Sequence, residues 1–140
     1  MTDDRPDFSP TAVDVVLRPE WAAKEGADKE FIVENTALAA GDATQLDYTV
    51  PVGKTLVITD VSYHLGATDL ANGELNQICR CRITEVIALE TKWVEGGNGG
   101  GHHALRKPLI FLAGEQFRIG VRNMSNHTCV AGSFAAGYEY

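Results

Sequence analysis

The chain has 140 residues, 44% of them hydrophobic, which is enough for one domain that buries a core without disulfide or metal crosslinks. Its formal net charge of −7 argues against a nucleic-acid-binding protein, which would carry a basic patch or stripe. The acidic start has no apolar signal-peptide core, and no apolar run approaches the roughly 20 residues of a membrane span. We therefore expect a protein that is made in a cytosol and binds neither nucleic acid nor membrane.

Residues 1–29 differ in composition from the rest and predict an extended N-terminal arm before a β domain over residues 30–140. Pro6, Pro10 and Pro19 interrupt this segment, which disfavours regular structure. Four apolar side chains within it suit anchors that dock on a partner or on the chain's own domain: Val15, Val16, Leu17 and Trp21. A terminus without a fixed position is the open alternative.

The β domain is predicted from short β-rich runs separated by turn residues. Residues 55–65 are rich in Thr, Val, Ile and Tyr, and they follow a Pro-Val-Gly-Lys sequence that suits a turn. Residues 115–123 alternate most clearly, with Phe117, Ile119 and Val121 on the inward face. The other predicted strands are residues 31–35, 45–50, 77–85, 86–95, 105–112 and 127–140.

The breaks between these runs refine the prediction. The strands at 77–85 and 86–95 suit either two strands or one long strand bent near Glu85. Residues 66–74 and the glycine-rich residues 96–101 predict loops. Pro108 requires an edge or bulge position in its strand. About eight strands without a convincing helix predict an antiparallel β-sandwich, most simply a jelly roll.

Histidine and cysteine spacing does not favour a metal site. His102 and His103 are adjacent, so on a strand they point to opposite faces, and the chain has no His-x-His. Nothing in the spacing of His64 or His127 supports a further ligand. The three cysteines, which lack a Cys-x-x-Cys spacing, suit reduced thiols in the core: Cys79, Cys81 and Cys129. We expect no metal and no cofactor.

Several cations suggest a basic strip that meets acidic groups on a partner. Arg80 and Arg82 share one predicted strand face with Ile78. Further cations that suit such a strip are Arg106, Lys107, Arg118 and Arg122. The alternative is a solvated sheet face. The chain lacks the Gly-x-Ser-x-Gly motif, a phosphate-binding loop and an evident acid–base pair of carboxylates, so we do not expect an enzyme.

Three segments together resemble small jelly-roll proteins of tailed bacteriophages and their prophage relatives. The segments are VPVGKTLVITDV at residues 50–61, PLIFLAGEQFRI at 108–119 and GSFAAGYEY at 132–140. Some members of this group are capsid decoration (cement) proteins, and others are tail or fibre accessories. The resemblance covers about residues 44–140 and rests on structural turns, so it assigns no role to any single residue. It implies a sandwich, often trimeric, that sits on a virion surface and binds capsid subunits partly through a terminal arm.

Three hypotheses follow. The first is a capsid decoration protein, a homotrimer whose partner is the major capsid protein or another virion protein, with the arm residues in contact with it. The second is a carbohydrate- or receptor-binding fibre or tail module with its site at Trp93, residues 96–101, His102 and His103. A sugar platform requires an exposed aromatic ring, so this hypothesis needs an exposed Trp93. The third is a cupin-like metalloenzyme.

Overall fold

The computed structural model describes residues 27–67 and 78–140. These residues form eight β-strands. The strands are β1 Ala27–Leu38, β2 Leu46–Thr49, β3 Leu56–Ala67, β4 Ile78–Glu85, β5 Glu90–Asn98, β6 Gly100–Phe111, β7 Gln116–Asn123 and β8 Cys129–Glu139. The described part of the chain contains no helix long and apolar enough to cross a membrane.

The strands form two four-stranded sheets, ordered β1-β8-β3-β6 and β2-β7-β4-β5. Every pairing is antiparallel. This order is the jelly roll, in which consecutive strands mostly alternate between the two sheets of a sandwich. The predicted all-β jelly-roll sandwich of about eight strands is therefore confirmed.

The core lies between the sheets and follows the alternation of the strands. On β7, Phe117, Ile119 and Val121 are fully buried, as predicted. On β3 the register shifts between Ile58 and Asp60. Because a bulge changes the parity of a strand, the side chains that join the core cluster are Leu56 and Ile58 before it and Val61, Tyr63 and Leu65 after it. β3 thus contributes to the core along its whole length.

The predicted loop at residues 96–101 is wrong. Gly96 and Gly97 belong to β5, Gly100 and Gly101 belong to β6, and a tight turn at Gly99 joins the two strands. A side chain on Gly100 would collide with the Tyr63 carbonyl, and Gly100 has a φ of 134°. Here glycine permits close contact between backbones instead of a flexible loop.

Residues 77–95 form two strands, which was one of the two arrangements that the sequence allowed. Residues 86–89 form a turn between β4 and β5, which pair as an antiparallel hairpin and not as one bent strand. Pro108 behaves as predicted. It lies on β6, an edge strand, within the stretch that loops out between the Ile58–Leu109 and Asp60–Ala104 pairs.

The strand β1 begins at Ala27, so residues 27–29 of the predicted arm pair with β8. The arm anchors Val15, Val16, Leu17 and Trp21 lie outside the described residues. Most of the predicted loop at 66–74 also lies outside them, while Gly66 belongs to β3.

Candidate functional site

Four arginines lie on the outer surface of the β2-β7-β4-β5 sheet. The buried positions of β4 and β7 include Cys81, Ile83 and Ile119, so the alternating residues point away from the core. In the register of these strands, Arg80 lies opposite Arg122, and Arg82 lies opposite Gly120. We call the surface that carries Arg80, Arg82, Arg118 and Arg122 the basic face.

One arginine of the basic face is neutralised within the chain. Arg118 binds Asp47 through two parallel hydrogen bonds, Nε to Oδ1 at 2.7 Å and Nη2 to Oδ2 at 2.8 Å. The hydrogen bond from Arg118 holds the pKa of the Asp47 carboxyl below its usual value, despite the opposing effect of burial. This bidentate pair shows that the sheet surface can present a guanidinium in the correct orientation for a carboxylate.

Among the described residues, no acidic side chain forms an ion pair with the other three arginines. Arg122 donates from Nη1 to the carbonyl oxygen of Gly41 at 2.6 Å, and this oxygen carries no formal charge. Within residues 27–67 and 78–140, the side chains of Arg80 and Arg82 make no hydrogen bond or ion pair. The basic face therefore has a local charge opposite to the net charge of the chain.

Between the arginines lies a depression of about 90 Å³. Its floor includes Gly120, where a Cβ atom would lie 2.7 Å from the carbonyl oxygen of Thr44. Glycine is therefore required for the close approach of residues 43–45 to β7. The residues that line the depression are Ala43, Thr44, Gln45, Arg80, Arg82, Thr84, Arg118, Gly120 and Arg122.

Exposed apolar side chains flank the arginines on the same surface. Ile78 is 45% exposed and precedes Arg80 by two residues, while Met124 is 49% exposed and follows Arg122 by two. Val94 is 52% exposed and lies opposite Arg82 on β5. Arginine and methionine are enriched in protein–protein interfaces, so this mixture is typical of a surface that binds another protein.

The structure separates the other predicted cations from this face. Arg106 and Lys107 are exposed on β6, which is an edge strand of the opposite sheet. The single basic strip predicted from the sequence is therefore wrong in extent. It contains Arg80, Arg82, Arg118 and Arg122, but not Arg106 or Lys107.

The histidines are not brought together. His102 is exposed and His103 is half-buried, on opposite faces of β6 as predicted. His64 contacts Asn35 with 2.7 Å between Nε2 and Oδ1, and His127 contacts Asn126. In the described part of the chain, no group of three or more histidine, cysteine or acidic side chains is positioned to hold a metal ion.

His103 instead belongs to a polar cluster at the edge between β5 and β6. Its Nε2 lies 2.5 Å from Oε1 of Glu95, and the Tyr63 hydroxyl donates to the same oxygen at 2.5 Å. The hydrogen bond from Tyr63, followed by that from His103, holds the pKa of Glu95 below its usual value against the effect of burial. Burial and the neighbouring Glu95 raise the pKa of Tyr63. The cluster links the two sheets, and no sequence motif marks it.

Trp93 is half-buried and packs against the core. Its ring centroid lies 6.3 Å from that of Tyr63 and 5.6 Å from that of His103. A half-buried ring with these neighbours is not the exposed platform that a sugar-binding site requires. This position counts against the carbohydrate-binding hypothesis.

The three cysteines are buried and form no disulfide, as predicted. Burial raises the pKa of the Cys81 thiol to about 12 and also raises that of Cys79. Thiols protonated in this way are poor nucleophiles and poor metal ligands. They serve as small core residues.

No protein-family model matches the chain, and no curated protein matches it. Among solved structures, it is similar to Aeromonas hydrophila PliG, a periplasmic lysozyme inhibitor of g-type lysozyme, with 14% identity over 84% of this chain and 90% of that chain and a TM-score of 0.40. It is also similar to the Yersinia pseudotuberculosis-derived mitogen, with 15% identity over 70% of this chain and 86% of that chain and a TM-score of 0.26. At these TM-scores the similarities carry no argument about function.

Proposed function

We propose that the chain is a structural virion protein of the decoration (cement) type, which binds a capsid surface and stabilises it. The context comes from the sequence resemblance to phage jelly-roll proteins. The observation that carries a binding role is the basic face, where the side chains of Arg80 and Arg82 have no partner among the described residues. The proposed partner is an acidic surface of the major capsid protein or of another virion protein.

The basic face suits this role because the sheet fixes its shape before binding. A paired strand loses little backbone freedom when a partner docks, so more of the contact energy appears as affinity. Guanidinium groups bind carboxylates through paired hydrogen bonds, as Arg118 and Asp47 already do within the chain. The flanking apolar side chains, Ile78, Val94 and Met124, add area that docking would remove from water.

The proposed assembly is a homotrimer that bridges neighbouring capsid subunits. Three copies of one modest contact act together, since the second and third contacts form at a high effective concentration. The arm side chains Val15, Val16, Leu17 and Trp21 are proposed as a second contact with the same partner. The free energy gained by burying their apolar surface must exceed the entropic cost of ordering the arm.

Co-sedimentation with empty shells, assembled from the major capsid protein of the same genome, tests the basic face. The double variant Arg80→Glu/Arg82→Glu reverses two charges on it. Charged interface contacts of this kind are worth about 1.5–3 kcal/mol each, so we expect affinity to fall by at least about 10-fold. The matched control is Arg106→Glu/Lys107→Glu, which makes the same charge change on the other sheet and should bind normally. An equal loss of affinity in both variants would show that only the net charge matters, and would contradict binding through the basic face.

The arm is tested separately in the same assay. Removal of residues 1–26 leaves β1 intact, since this strand begins at Ala27. We expect weaker binding to shells with an unchanged thermal unfolding temperature. Full affinity after the deletion would eliminate the arm as a contact, and binding to glycans alone would favour the receptor-binding hypothesis.

A further inference from the structure

We infer that the depression over Gly120 is a socket for one oxyanion group, and that its occupant is the carboxylate of an aspartate or glutamate side chain on the protein partner. The identity of the partner rests on the proposed function. The chemistry of the socket rests only on the described residues around Gly120.

Hydrogen-bond donors surround the depression. A guanidinium has five N–H donors and no acceptor. On Arg118 two nitrogens are used by Asp47, and on Arg122 one is used by Gly41. The guanidinium groups of Arg80 and Arg82 border the same depression and have no hydrogen-bond partner in the described part of the chain. These donors suit a group that only accepts hydrogen bonds and carries negative charge.

The depression is large enough for a small oxyanion. A water molecule needs roughly 10–15 Å³ of such space, and the depression offers about 90 Å³. On the outer face, Arg82 lies directly opposite Gly120, and Arg80 and Arg122 form the next pair along the strands that faces the same way. An oxyanion above Gly120 would thus meet guanidinium groups from two strands.

Two features of the basic face favour the side chain of a protein over a free anion. The carboxylate of Asp47 already forms a bidentate pair with Arg118 on this face, so the sheet presents arginines in the geometry that a carboxylate requires. A free phosphate or sulfate would leave Ile78, Val94 and Met124 in water. A protein surface that delivers its carboxylate to the socket would cover these three side chains at the same time.

The test is an NMR titration of the full-length isotope-labelled chain without any shell. The probes are the blocked peptide acetyl-Gly-Glu-Gly-Asp-Gly-amide, its Gln/Asn counterpart and inorganic phosphate. We expect weak but saturable shifts with the acidic peptide at the amide signals of Gly120 and its neighbours on β4 and β7, and none with the neutral peptide. Arg82→Gln should weaken acidic-peptide binding by at least about 5-fold, and Arg106→Gln should not change it.

Each outcome bears on a different part of the inference. Equal shifts with both peptides, or none with either, would overturn the socket. Saturable binding of phosphate at the same amides without any acidic-peptide binding would assign the socket to a free anion and overturn the carboxylate. If the peptide binds as expected but the chain does not sediment with shells, the socket stands and the decoration function fails.

Discussion

The substitution Glu85→Gln tests whether the ionised carboxylate of Glu85 stabilises the turn between β4 and β5. Glu85 is 1% exposed, and its carboxylate accepts three backbone N–H bonds, from Ala88 at 2.6 Å, Gln116 at 2.7 Å and Ile87 at 3.2 Å. Burial raises the pKa of this carboxyl, but the three donors outweigh burial and hold the pKa below its usual value. The ionised form therefore stabilises the fold.

Glutamine keeps one acceptor oxygen and places an NH₂ group against the remaining donors. At least one N–H then loses its partner, and the charge-assisted bonds become neutral. Both effects together should lower the free energy of unfolding by about 2 kcal/mol at neutral pH. Because the folded-state pKa is depressed, the wild-type advantage is complete above the unfolded-state pKa of about 4.3 and is lost as the pH falls through the folded-state value.

Urea unfolding followed by tryptophan fluorescence at neutral and acidic pH measures this difference. The control is Glu90→Gln at the start of β5, where the carboxylate is exposed and pairs with Lys92 at 3.4 Å. That variant should change stability by less than about 0.5 kcal/mol. The carboxylate does not stabilise the turn if Glu85→Gln lowers the free energy of unfolding no more than the control does. The same conclusion follows if the stability difference from wild type is unchanged in strong acid.

Three further predictions concern stability and reactivity. Leu89 has a φ of 56° and is 84% exposed, and asparagine tolerates this left-handed backbone conformation better than leucine. Leu89→Asn should therefore raise the free energy of unfolding in urea by about 0.5–1 kcal/mol, and a lower value would contradict backbone strain at Leu89. Gly137→Ala should destabilise by at least about 2 kcal/mol because its Cβ would collide with the Val57 carbonyl, whereas Gly66→Ala, with open space around it, should not destabilise. The three cysteine thiols are buried, and burial raises the pKa of Cys81 to about 12. They should resist iodoacetamide in the native state at mildly alkaline pH and react after unfolding, whereas rapid labelling of the native protein would contradict their burial.

The sequence predicted features that depend on one strand at a time. The alternation of Phe117, Ile119 and Val121 identified the buried face of β7, and the same periodicity placed Arg80 and Arg82 on one surface. The register of a single strand determines such features, so no knowledge of its neighbours is needed.

Features that depend on strand neighbours were not predictable in the same way. Asp47 and Arg118 are 71 positions apart, so only the pairing of β2 with β7 reveals their ion pair. Residues 96–101 have the composition of a loop, yet Gly100 lies in a strand because it packs against the backbone of Tyr63. Arg106 and Lys107 joined the predicted basic strip by charge alone, and the topology places them on the other sheet.

The most direct test of the central claim is an electron cryo-microscopy map of shells that carry the chain. The account predicts that the outer surface of the β2-β7-β4-β5 sheet faces the shell, with Arg80 and Arg82 against acidic side chains of the partner and with one carboxylate above Gly120. A map in which this surface faces solvent, while the sandwich contacts the shell through its other sheet, would contradict the account.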